Sequence, residues 1–412
     1  MEFLKHTLPN GLEIVAECNA EVHSAALGFF VRTGARDETD DVAGVSHFLE
    51  HMVFKGTPTR SADDVNREFD EIGAHYNAFT GEEATVYYAA ILPEYVEKTV
   101  ELWSDVLRPS LRTEDFDTEK QVILEEIRMY EDQPPFGADD RCKALHYAGH
   151  PLGRSVLGTS ESVAGLPVDK MRAYFERRYS PANIVLAAAG RIDFDGLVAA
   201  AERFCGAWQP FAAGRVPEAV RPREDFLVVC KPTATQQYAL SLSQGPSAED
   251  PRRYAAKLLT TVIGDDTGSR FYWELTDPGL AEQASLNHYE YEGSGAYYTY
   301  MSCDPERAVE NLERILDIYR QAESEGITAE ELAQAKSKVS SRVVLSGERP
   351  RGRLFAIGSD WLQRGDYHSV KEELVAFSGV SLDEVNALLA AYPLSRMTTV
   401  TIGPLAEVAR PQ

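Results

Sequence analysis

The hydrophobic pattern of the chain changes period several times. Short apolar or alternating runs at 12–17, 25–32, 75–79, 85–92 and 183–189 predict strands, because successive strand side chains face opposite ways. Between them the apolar spacing lengthens to three and four residues, which predicts helices at 45–54, 62–72, 93–107, 113–131 and 167–178. In the 113–131 segment Val122, Ile123 and Ile127 form the apolar side, and Thr113 with Glu114 and Asp115 supplies an N-terminal cap. Short hairpin-like strands with helices grouped between them favour an α+β fold. Its sheet is mostly antiparallel and backed by helices, not doubly wound and parallel.

The second half repeats the first. Tyr179-Ser-Pro and the strand after it match Tyr392-Pro and the strand after it, and the tyrosines and the glycines that close those strands, Gly190 and Gly403, share one offset of 213. Asp169 pairs with Asp383 at an offset of 214, and Thr113-Glu-Asp-Phe resembles Thr328-Ala-Glu-Glu at about 215. Four anchors in one order identify two copies of one unit. The stretch from Pro210 to Pro222 is rich in Pro, Gly and Ala, as a boundary should be. This predicts a first domain at 1–212, a linker at 213–222 and a second domain at 223–412.

One pentapeptide carries the chemistry: His47-Phe-Leu-Glu50-His51. Histidines at i and i+4 share one helix face, so both imidazoles can reach a single ion. Glu50 stands beside them as a candidate general base. The order H-x-x-E-H is the inverse of the common zinc-protease motif. Neutral imidazole and carboxylate suit zinc, which in catalytic sites keeps three protein ligands and one water. A histidine pair packed against another helix is the ordinary alternative. A third ligand could come from the acidic helix that holds Glu119, Glu125 and Glu126; Glu119 and Glu126 are seven apart and share a face. A solvated acidic face would read the same way.

The segment from His47 to Thr57, HFLEHMVFKGT, resembles the active-site segment of the pitrilysin-type (M16) metallopeptidases, in the branch of mitochondrial processing peptidase and its bacterial homologues. Leu8-Pro-Asn-Gly-Leu12, Gly73-Ala-His-Tyr-Asn-Ala-Phe-Thr80, Glu119 to Met129, Gly158-Thr-Ser-Glu161 and Tyr179-Ser-Pro-Ala-Asn183 fit the same family. The likeness covers most of residues 1–200 and continues more weakly, as in Gly268-Ser-Arg-Phe271. The resemblance implies a third zinc ligand at the later glutamate of E-x6-E, Glu126, with Glu119 steering a histidine from behind. The spacing from the histidines is about one residue shorter than in the processing peptidases, which leaves Glu125 open. It further implies a peptide aligned along Asn77, Ala78 and Phe79, and an arginine and a tyrosine from the second half, for which Arg270, Tyr297 and Tyr298 are the candidates. Arg270 could equally be held in a structural ion pair, and the tyrosines could be packing. Two duplicated halves forming a clamp, a homodimer and hydrolysis of unfolded peptides or short protein segments are the corresponding expectations. The second copy, counted 213–214 residues on from His47, falls near Thr260 and Thr261 with no His or Glu pair, so one zinc per chain is expected.

Composition narrows the partners. A net charge of −24 argues against nucleic acid, which requires Lys/Arg clusters. It would attract cationic ligands and so fits basic peptides. Nothing approaches the apolar run of ~18 residues that crosses a membrane. The N-terminus lacks a basic and then apolar leader, so the chain reads as cytoplasmic. Five scattered cysteines (Cys18, Cys142, Cys205, Cys230, Cys303) without C-x-x-C predict buried, reduced thiols and no thiolate metal site.

Overall fold

The computed structural model describes residues 1–135, 137–216 and 218–412. In the first half, strands β1 (Glu2–Thr7), β2 (Glu13–Cys18), β3 (Ala25–Val31), β4 (His75–Thr80), β5 (Thr85–Ile91) and β6 (Ile184–Gly190) form one sheet in the order β1-β2-β6-β3-β5-β4. Every neighbouring pair is antiparallel except β2 with β6. Helices α1 (Val45–Val53), α2 (Ala62–Glu71), α3 (Val96–Val106), α4 (Thr113–Asp132), α5 (Ala138–Tyr147), α6 (Ser160–Gly165), α7 (Val168–Arg178) and α8 (Phe194–Cys205) belong to this half of the chain.

The second half repeats that order. Strands β7 (Phe226–Cys230), β8 (Gln237–Gly245), β9 (Gln283–Tyr291), β10 (Ser294–Cys303) and β11 (Met397–Gly403) form a sheet in the order β7-β11-β8-β10-β9, again with one parallel pair, β7 with β11. Helices α9 (Arg253–Gly264), α10 (Ala308–Glu325), α11 (Ala329–Gly347), α12 (Pro350–Arg364), α13 (Val370–Gly379) and α14 (Leu382–Ala391) complete it. The two sheets match strand for strand, β1 being an extra edge strand of the first. No single helix among the described residues is long and apolar enough to cross a membrane.

The predicted strands and helices of the first half are all present, displaced by a residue or two at their ends. β3 and β6 are buried along their whole length, which explains their continuous apolar runs. One face of the first sheet packs on α1, α3, α4 and α7 in a core that includes Phe48, Trp103, Phe116 and Tyr174. The other face is covered by Leu354 and Ile357 of α12, which lie against Val15, Phe30, Val185 and Ala187. α12 approaches so closely that a Cβ on Gly358 would stand 2.3 Å from the Phe30 ring. Arg353 fastens it with a buried pair of hydrogen bonds to Glu17 of β2, at 2.7 and 2.9 Å.

That packing corrects the domain boundaries. The compact units are Met1–Arg128, Arg154–Val216 and Leu345–His368 on one side, and Met129–Gly153, Pro217–Val344 and Ser369–Gln412 on the other. Each sheet therefore takes a helix from the other half of the chain. α5 covers the second sheet, with Ala138 and Cys142 against Leu240, Leu242, Val400 and Ile402. The helices exchanged, α5 and α12, occupy the same place in the duplicated order and start 212 residues apart. Copies in sequence and units in space thus differ by one reciprocal trade. The linker also divides, with Ala213, Gly214 and Arg215 bonded into the first unit; Pro217 lies outside the described residues.

Three smaller expectations change. Thr113 is the first residue of α4, not its cap. Val122 is 46% exposed, and the buried stripe runs through Phe116, Ile123, Leu124 and Ile127. All five cysteines are free, but Cys230 is exposed and Cys18 only half-buried.

Candidate metal centre

α1 is set by its N-terminus. Gly44 precedes it with φ +89°, and a Cβ there would meet the Leu157 carbonyl oxygen at 2.5 Å, so only glycine fits. The buried carboxylate of Glu38 then accepts hydrogen bonds from the Gly44 and Ser46 amides, both at 2.7 Å, and satisfies two of the helix's unpaired donors. Ser46 also shares a 2.7 Å hydrogen bond with the buried Tyr174 hydroxyl. These contacts fix the rotation of α1 and hence the direction of its histidines.

His47 and His51 project from one face of α1, with ring centroids 4.7 Å apart. Each presents its Nε2 to Glu126 Oε2 of α4, and both distances are 3.8 Å. The three ligand atoms lie within 4.8 Å of one another. Donors ~2.0–2.1 Å from one tetrahedral ion stand roughly 3.3 Å apart, so two nitrogens and an oxygen at this separation suit zinc with little adjustment. Burial, helped by the neighbouring His51, holds His47 down at about 4, so its ring is neutral and its lone pair is available. Burial pushes the Glu126 carboxyl up, with the neighbouring Glu119 adding to it and His51 opposing.

The helix presents the two adjacent glutamates differently. Glu125 is exposed on another face of α4, whereas Glu126 turns to the histidines. Glu119, one heptad earlier and buried, accepts from His51 Nδ1 at 2.9 Å and so directs Nε2 at the ligand position. Lys55 binds the other Glu119 oxygen at 2.6 Å. Lys55 stands four residues after His51, a spacing that could have flagged it.

Glu50 lies between the histidines in sequence and on the same side as the site in space. Its Oε2 accepts a 2.6 Å hydrogen bond from the Thr80 hydroxyl at the end of β4. Burial pushes its carboxyl up, opposed by the Thr80 bond and by His51. β4 is the edge of its sheet, so one side of its backbone has no strand partner. Ala78 faces the helices, while Phe79 is 45% exposed on the opposite face beside Phe355. The Asn77 side chain accepts from the Ala78 amide at 2.9 Å.

The second-half candidates are placed differently. Arg270 forms a two-point ion pair with Glu331, at 2.7 and 3.0 Å, and also binds the Gly326 carbonyl. Tyr297 is 0% exposed within the second core and cannot present its hydroxyl to a substrate. Tyr298 packs edge-on against Tyr289 beneath α5. Both tyrosines are packing residues, and their alternation reflected two covered sheet faces. α9 carries no histidine and no carboxylate. Its start is displaced 208 residues from that of α1 because the connection before it is shorter, so the residues in register with the zinc ligands lie earlier than Thr260.

Comparison with known proteins agrees with this geometry. Residues 13–160 match the family model described as insulinase (peptidase family M16), and residues 165–339 match the peptidase M16 inactive domain. A relative in Mycobacterium tuberculosis, named an uncharacterized zinc protease, is 34% identical over 409 residues, covering 97% of this chain and 92% of its own. The uncharacterized zinc protease YmxG of Bacillus subtilis is 33% identical over 387 residues, covering 93% and 94%. A crystal structure of a protease from Helicobacter pylori shares the fold with a TM-score of 0.90 at 19% identity, over 98% of this chain and 100% of that one. A peptidase M16 inactive domain from Pseudomonas fluorescens matches with a TM-score of 0.91 at 16% identity, over the full length of both chains. With its inverted motif on α1 and its partner glutamate on α4, this chain belongs to peptidase family M16.

Proposed function

We propose that the protein is a zinc-dependent endopeptidase that hydrolyses unfolded peptides or short protein segments. The observation that carries this reading is the convergence of His47, His51 and Glu126 on one point beside Glu50. Those three residues would hold one zinc per chain. Zinc bound there would supply Lewis acidity and lower the pKa of a water toward ~7. Glu50 takes the proton of the attacking water and passes it to the leaving amine. Glu119 keeps the His51 ring oriented, and Lys55 keeps Glu119 charged.

A peptide paired to the free edge of β4 would be held by backbone hydrogen bonds with little demand on sequence. The acidic net charge supports a leaning toward basic peptides. Only the first half carries the H-x-x-E-H motif, which suits a clamp whose second half encloses substrate; a homodimer working in the cytoplasm is the corresponding proposal. Light scattering at micromolar concentration tests the pairing, and a monomer there defeats it.

Quenched fluorescent peptides, assayed with and without a chelator, test the activity itself. Cleavage that stops with chelator and returns with zinc is expected. Glu50→Gln should keep its zinc and its fold and lose ~10²–10⁴ in rate. A fully active Glu50→Gln protein removes the proposed base.

A further inference from the structure

Glu50 could rotate freely about its side-chain bonds unless something fixes it, and α1 supplies no partner for it. We propose that Thr80 is the positioning residue of the general base: its hydroxyl holds one carboxylate oxygen of Glu50 so that the other is free to take a proton. This rests on the peptidase reading of the site.

The hydrogen inventory gives the direction of the bond. Thr80 has one hydroxyl hydrogen and two neighbours, Glu50 Oε2 at 2.6 Å and Thr85 Oγ1 at 3.4 Å. Thr85 gives its own hydrogen to the Thr33 carbonyl at 3.0 Å. The Thr80 hydroxyl donates to Glu50 Oε2, much the shorter of its two contacts, and the longer one to Thr85 carries no Thr80 hydrogen. The short distance is that of a charge-assisted bond, stronger than one between neutral groups.

The strand fixes Thr80 in turn. Thr80 is the last residue of β4 and pairs with Thr85, the first of β5, across the turn that joins them. Thr85 is fully buried, and its threonine side chain belongs to the covered face of the sheet. Beneath it the hydroxyls of Tyr87 and Tyr179 meet at 2.9 Å, inside the same core. The position of Thr80 is thus set by hairpin register and by a packed interior. The same β4 whose outer edge would receive a peptide also ends in the group that aims the base. Substrate pairing and base alignment therefore reside on one element.

Thr80→Val keeps the shape and β-branching of the side chain and removes only the hydroxyl; Thr80→Ser keeps the hydroxyl and removes the methyl. With zinc-loaded enzyme, Thr80→Val should lower kcat about 10- to 100-fold, the loss expected for one hydrogen bond to a charged group. KM, zinc content and Tm should stay as in wild type, and Thr80→Ser should recover most of the rate. Crystal structures of the metal-free proteins give a readout that needs no turnover. Glu50 should occupy one rotamer in wild type and leave it in Thr80→Val. A wild-type kcat in Thr80→Val, a Thr80→Ser as slow as Thr80→Val, or an unmoved Glu50 in the Thr80→Val crystal overturns the proposal. If wild type cleaves no peptide, the peptidase reading fails, while the two crystal structures still decide the role of Thr80.

Discussion

The helix pair α1 and α4 in the first half and the pair α9 and α11 in the second occupy the same places in the duplicated order, yet they solve their shared contact in opposite ways. α1 and α4 bring together two histidines and the carboxylates Glu119 and Glu126, with Lys55 the cation paired to them. That set has more acceptors than donors, and burial pushes Glu126 up as a result. In the second half α9 buries Leu258, Leu259 and Ile263, and Asp265 at its end is gripped by Lys338 at 2.9 Å and Arg342 at 2.6 Å, both from α11. Burial would push the Asp265 carboxyl up, but these two cations outweigh it and hold it below the usual range. One copy is neutralised by its own side chains. The other keeps two histidines and two carboxylates with Lys55 as its cation.

The strongest break in that contrast is made at the ligands. His51→Ala or Glu126→Gln should abolish stoichiometric zinc, measured by elemental analysis after dialysis, while Glu125→Gln binds zinc like wild type. Glu119→Gln should weaken zinc binding about 10- to 100-fold, because the ring it orients loses its charged acceptor. Zinc retained by Glu126→Gln and lost by Glu125→Gln would reassign the third ligand.

A second test uses the exchanged helices. α12 is fastened to its sheet by the buried Arg353–Glu17 pair, whereas α5 buries His146, whose ring nitrogens have no close hydrogen-bond partner among the described residues. Burial holds His146 down at about 4, against ~6.5 when unfolded. Between those values the folded state binds fewer protons than the unfolded one, so stability present above pH ~6.5 is lost as pH falls toward ~4. The loss reaches at most about 3 kcal/mol from this group. His146→Phe should flatten that part of the curve in urea melts at stepped pH. Parallel curves for the two proteins would show that His146 finds a partner for its proton.

The smallest effect belongs to the self-neutralised copy. Asp265→Asn should cost about 1–2 kcal/mol, given a buried acid with partly exposed partners. Zinc content and peptide turnover should not change. A loss of zinc in Asp265→Asn would mean that the second copy supports the metal centre.

Much of this was legible before any coordinates. The strand and helix order of the first half, the duplication and the pair His47/His51 all follow from spacing over short distances. The errors share one origin. Tyr297 and Tyr298 looked like a strand with one special face, but both faces of that sheet are covered, one by its own helices and one by α5. Val122 was placed on the apolar side of α4 by its character, and the helix leaves it in solvent. Thr80 gave no local signal, since its partner Glu50 lies 30 residues away, while Lys55 could be flagged only by its spacing from His51.

The sequence by itself determined what the backbone periods enforce: a helix brings i and i+4 to one side, so the two imidazoles share a face wherever the helix lies. It also determined the number of copies and the single H-x-x-E-H motif. Only the tertiary structure decided which glutamate faces the histidines, which hydroxyl bonds Glu50 and which half each of α5 and α12 covers. Those outcomes depend on surfaces brought together from residues far apart in the chain. A one-residue step along α4 turns a side chain by about 100°, from the histidines to solvent, and nothing local to the glutamates says where the histidines will be.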